Sequence, residues 1–139
     1  MERSATEVAA AYAGTSASTL SGPQLLLKLY ERLVSDMGEA RAAIVGGQVR
    51  EAHEALVHAQ RIVQVLAAAL QPDRFPAGRD LLALYQVLEA ALAQANLEKR
   101  VEALDICVAI VEPLQRAWEQ AVPAALGESE LAGAGSVLA

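Results

Sequence analysis

Four separate stretches of this chain place apolar side chains three or four residues apart, and that spacing leaves little choice of fold. At 3.6 residues per turn, such a stretch lines one face of an α-helix. The first carries Leu26, Leu29, Tyr30, Leu33, Met37, Ala40 and Ile44; the second carries Ala52, Ala55, Leu56, Ala59, Ile62, Val63, Leu66 and Leu70. The third has Leu81, Leu84, Tyr85, Leu88, Leu92 and Ala95, and the fourth Val101, Leu104, Val108, Val111, Leu114, Trp118 and Val122. No stretch alternates with the two-residue period of a half-buried strand.

The punctuation agrees with four helices. Ser21 with Gln24 has the spacing of a capping box, and Pro23 is tolerated in a first turn. Gly46-Gly47 supplies a stop, because glycine accepts the left-handed conformation of helix ends. The first helix is thus predicted over roughly 22–45. The second ends at Gln71-Pro72-Asp73, and Phe75-Pro76-Ala77-Gly78 continues a loop. The third begins near Arg79 and fades near Asn96. Pro113 is expected to kink the fourth, because it removes a backbone donor.

Short connections between long amphipathic helices favour antiparallel neighbours. The predicted fold class is therefore all-α, an antiparallel up-and-down four-helix bundle over residues 21–126. Residues 1–20 are small and polar apart from Val8, Tyr12 and Leu20, and read as a flexible N-terminal cap segment, either a strap, a short helix or an unstructured leader. Residues 127–139 read as a disordered tail.

Composition narrows the function classes. Apolar residues make up 54% of the chain and aromatics only 4%, so the interior must be largely Leu, Val, Ile and Ala. A net charge of -6 argues against nucleic acid or an anionic membrane surface as partner. The single cysteine excludes an intramolecular disulfide and suits a reducing compartment. No basic-then-apolar leader opens the sequence, and the apolar run from Ile62 to Leu70 is far short of the ~20 residues of a membrane span. A cytoplasmic location without membrane insertion is expected.

Catalytic chemistry finds little footing. Cys107 lies in an apolar helical context with no adjoining cation to lower its pKa. His53 and His58, five apart on a helix, point in divergent directions, whereas a shared metal would need i,i+3 or i,i+4 spacing. The Glu-x-x-His repeat of di-metal bundles is missing too. No catalytic residue, metal or cofactor is therefore assigned, and the chain is not expected to be an enzyme. Glu98, Glu102 and Asp105 read as solvated residues on the early turns of helix four, where negative charge complements the helix dipole.

Four segments in order carry a more specific signal. Ser21-Gly22-Pro23-Gln24-Leu25-Leu26-Leu27-Lys28-Leu29-Tyr30-Glu31 resembles the first-helix signature of the FliS family of flagellin export chaperones. His58 to Leu66, with Gln60 and Arg61, is similar to its second-helix run. Leu84-Tyr85 followed by Ala95-Asn96 resembles its third-helix pattern, and Arg116-Ala117-Trp118 its closing segment. The chain departs from the family pattern at Pro23, one place late, at Lys28 and Val65, and at Pro113.

That resemblance implies a bundle that binds the disordered C-terminal segment of flagellin in hydrophobic grooves. Binding would keep flagellin from polymerising early, and the complex would pass to an export gate component of the flagellar type III apparatus. It puts partner contacts at Tyr12, Leu25, Leu29, Tyr30, Gln60, Tyr85, Asn96 and Trp118, with the segment around Tyr12 capping the groove. Whether the chain forms a homodimer stays open. Furrows are expected at Ala52, Ala55 and Ala59 and at Ala83, Ala90 and Ala91, although alanine is also simply the best helix former. The competing reading is a helical adaptor or docking module of another secretion system.

Overall fold

Pro23 opens the first helix at the position where its missing N–H costs nothing, and Gly22 precedes it as N-cap with no side-chain cap. The structure, a computed structural model, describes the backbone of residues 22–74 and 77–138 and the side-chain surroundings of 22–73 and 77–122. Tyr12, the proposed cap segment 1–20 and Ser21 of the expected capping box lie outside the described residues.

Four α-helices follow in order: α1 (Pro23–Val45), α2 (Val49–Ala69), α3 (Gly78–Glu98) and α4 (Val101–Leu138), with a 3-10 turn at Pro72–Arg74. The sequence boundaries agree to within about two residues, the usual uncertainty of helix ends, except at the end of α4, expected near 126 and found at Leu138. Gly47 takes a φ of 71°, the left-handed turn expected of the glycine pair. Gly78 answers a different demand, because a Cβ there would lie 2.4 Å from the Pro72 carbonyl oxygen. The third helix runs past Asn96 to a left-handed C-cap at Lys99 (φ 53°). A lysine in that region is strained, and its ammonium donates to both the carbonyl and the side-chain oxygen of Asn96, which offsets the strain.

Helix α4 continues through Pro113 as one helix, with one hydrogen bond of its ladder missing there. Pro113 and Ala109, whose carbonyl loses its partner, both face solvent, so water can take that bond. The backbone is helical as far as Leu138, into the stretch expected to be a disordered tail.

Each helix packs on two neighbours: α1 on α2 and α4, α2 on α3, and α3 on α4. The ring closes around the four predicted stripes, giving the up-and-down bundle. All eight inner residues named for the second helix are buried, whereas Leu29, Ile44, Leu84, Val101 and Val108 are only partly so, standing at the seams between helices. Tyr30, Tyr85 and Trp118 are the largest fully buried side chains. The Tyr30 and Tyr85 hydroxyls hydrogen-bond at 2.9 Å, tying α1 to α3, and the Tyr30 ring meets Trp118 with centroids 6.0 Å apart.

Leu88 lies in the centre of this interior with no exposed surface. Leu88→Ala should lower the unfolding free energy by about 2–5 kcal/mol in urea titration, as core truncations do. Val45→Ala, at an exposed helix end, should stay within about 0.5 kcal/mol of the parent.

Candidate partner-binding surface

One buried charge sets the geometry of the α1/α2 edge. Asp36 is fully buried, accepts a hydrogen bond from His58 Nδ1 on α2, and lies 3.1 Å from Arg32 Nε one turn earlier. A buried carboxylate needs such partners, since removing it from water without them costs several kcal/mol. Together they border an acidic cleft of about 560 Å³, to which Glu39, Glu51 and Glu54 also contribute.

The Asp36–His58 pair also fixes register. Antiparallel helices that meet there bring Leu29 opposite Val65 and Leu25 opposite Ala69, two and three turns further along. Leu25 is 36% and Val65 50% exposed, while Leu29 and Ala69 are half-buried. The result is an aliphatic strip along the outside of the α1/α2 seam, rimmed by the exposed Lys28, Arg32 and Arg61. A second apolar furrow runs between α3 and α4, about 260 Å³, with Ala91, Ala103 and Ile106 in its walls and Gln94, Glu98 and Glu102 at its edges.

The residues named from the sequence separate into three environments. Leu25 and Leu29 sit together on the α1/α2 strip. Tyr30, Tyr85 and Trp118 come together in the interior, with no exposed surface. Gln60 is half-buried on α2, and Asn96 is half-buried where its amide donates to His53 Nδ1 at 3.0 Å while its oxygen accepts from Lys99. Asn96 therefore ties α2, α3 and the turn into α4. Of the expected alanine furrows, Ala52, Ala55 and Ala59 face inward and let α2 pack closely, Ala83 and Ala90 are open to solvent, and Ala91 lines the α3/α4 furrow. Val65 and Ile106 were not named as contacts; their signal is an aliphatic residue standing off the inner stripe.

The two histidines serve different seams, His53 toward α3 and His58 toward α1. Among the described residues no group of three His, Cys, Asp or Glu side chains is placed to hold a metal ion. Burial pushes the Cys107 thiol up to about 11, the opposite of what a nucleophile requires. No described helix is long and apolar enough to cross a membrane.

Among known families, the chain matches the flagellar protein FliS over residues 4–125. No curated protein matches the chain.

The enclosed thiol makes a simple prediction. Cys107 should resist a thiol reagent at pH 8 in native protein and react fully once denaturant is added. Its raised pKa also means that folding stability falls between about pH 9 and 11, where the unfolded chain releases the thiol proton and the native protein retains it. Urea midpoints across that range check the sign, and Cys107→Ala should flatten the change.

Proposed function

The chain belongs to the FliS family of flagellar proteins, and from that premise we propose that it is a non-enzymatic export chaperone for flagellin. Its guest is the disordered C-terminal segment of flagellin, and the aliphatic strip of Leu25, Leu29 and Val65 is where that segment docks. The observation that carries this reading is the strip itself, which leaves aliphatic side chains at a seam the bundle could have filled with polar ones.

The chemistry is coupled folding and binding. A disordered guest loses conformational entropy on capture, and complexes of this kind commonly bury on the order of 1,000–3,000 Å² to offset it. An amphipathic guest helix lays its apolar face along the strip. Lys28, Arg32 and Arg61 favour acidic side chains on the guest's flanks. Holding that segment keeps flagellin from polymerising before the complex reaches the export gate in the cytoplasm. Tyr30, Tyr85 and Trp118 contribute from beneath, by holding α1 in place under the guest. Residues 1–20, through Tyr12, compete with the guest for the strip.

Calorimetric titration with a flagellin C-terminal peptide tests the reading. Leu25→Glu and Val65→Glu should each weaken capture about tenfold or more, roughly 1.4 kcal/mol, with the urea midpoint unchanged. Full affinity in both variants would remove the strip from the binding site. Deleting residues 1–19 should tighten capture; weaker or equal binding by a folded bundle would end the competitor role.

A further inference from the structure

The three basic side chains on the rim of the strip are not alike. Lys28 and Arg61 are exposed, and among the described residues neither has a partner. Arg32 is exposed over 55% of its side chain, yet its Nε stands 3.1 Å from the carboxylate of Asp36, which is buried and bound from the other side by His58 Nδ1. Long side chains lose rotamer entropy when they pair, which is why most exposed ion pairs contribute little. Arg32 has lost much of that freedom before any guest arrives. Its planar fork carries several further N–H donors, and Asp36 is its one partner among the described residues.

The place of Arg32 on the seam is equally particular. Leu25, Leu29 and Arg32 follow at i, i+4 and i+7, so they share one face of α1, and Arg32 lies about 10 Å beyond Leu25 at 1.5 Å per residue. Past Arg32 the seam changes sign. Glu39, Glu51 and Glu54 border the cleft around Asp36, and among the described residues only Glu54 is matched, by Arg50 at 3.2 Å. A guest carboxylate moved two turns that way would meet unmatched carboxylates. Moved two turns the other way, it would lie on Leu25 and Leu29, out of water with no fixed partner.

From this arrangement we infer that Arg32 sets the register of the guest helix. It donates N–H bonds to one guest carboxylate, about seven residues along from the apolar side chain seated on Leu25, and Asp36 is its positioning residue. The inference rests on the strip being the guest's site. Asp36 cancels much of the long-range charge of Arg32, so the contact depends on directed donors more than on net charge. A lysine ammonium, a point charge without the planar fork, does not serve Asp36 and the guest together in one geometry.

Calorimetric titration of the full chain with the flagellin C-terminal peptide tests this. Arg32→Gln should weaken capture about tenfold, against about threefold or less for Lys28→Gln and Arg61→Gln. In about 1 M salt, which screens exposed pairs, the two smaller losses should vanish and the Arg32 loss persist. Arg32→Lys, which keeps a cation beside Asp36, should lose as much as Arg32→Gln. Exchanging each acidic residue of the peptide for its amide should find one whose loss matches that of Arg32→Gln and does not add to it. Asp36→Asn should behave likewise toward Arg32→Gln; where circular dichroism shows that variant unfolded, Arg32→Lys and the peptide series decide. Equal losses at the three basic positions, full rescue by Arg32→Lys, or additive losses throughout overturns the inference. If Leu25→Glu and Val65→Glu weaken capture while Arg32→Gln does not, the register role alone falls. If the parent chain ignores the peptide, or both strip variants bind it fully, the guest-site reading falls with it.

Discussion

An aliphatic seam with almost no aromatic filler can be hidden only if helices close a ring around it. None of the four stripes is deep enough to bury itself, and two helices alone would leave half of each stripe wet. Ring closure resolves this, with α1 and α4 meeting across the ends of the chain order. The few large side chains then matter disproportionately. Tyr30, Tyr85 and Trp118 come from three helices and occupy the volume that leucines alone would leave empty. The bond between the two tyrosine hydroxyls supplies a directional contact in an interior whose other contacts are mostly dispersive.

Asp36 adds a different kind of specificity. Apolar packing tolerates a sliding of one helix along another by a turn, because leucine resembles leucine. A carboxylate buried beside His58 and Arg32 does not, since a shift of one turn would strand it without partners. This register sets how Leu25 and Leu29 are aligned with Val65 along the strip. A polar pair inside the seam thus sets which apolar residues stand level with one another several turns away.

The strip at α1/α2 and the furrow between α3 and α4 occupy opposite sides of the ring. Exposed aliphatic surface invites aggregation, and a flexible guest on the strip would relieve it. The basic rim of that surface suits a guest with acidic flanks. Neither surface asks for catalysis, and the enclosed Cys107 offers none.

Periodicity alone was enough to read the four helices, their inner faces and most of their ends, because the 3.6-residue turn makes a helical face a local property of sequence. The same argument could not separate Leu29 from Tyr30, which stand on the same predicted stripe. One lies at a seam and the other in the centre, and that distinction belongs to pairs of helices. It likewise could not tell that Ala52, Ala55 and Ala59 close a helix contact while Ala91 opens a furrow, or that Asp36 is inside. Nor did it anticipate the left-handed turn at Lys99, which a reading by residue type assigns to glycine or asparagine. The sequence determined which side of each helix avoids water; only the tertiary structure decided what each side meets, because burial depends on the neighbour as much as on the residue.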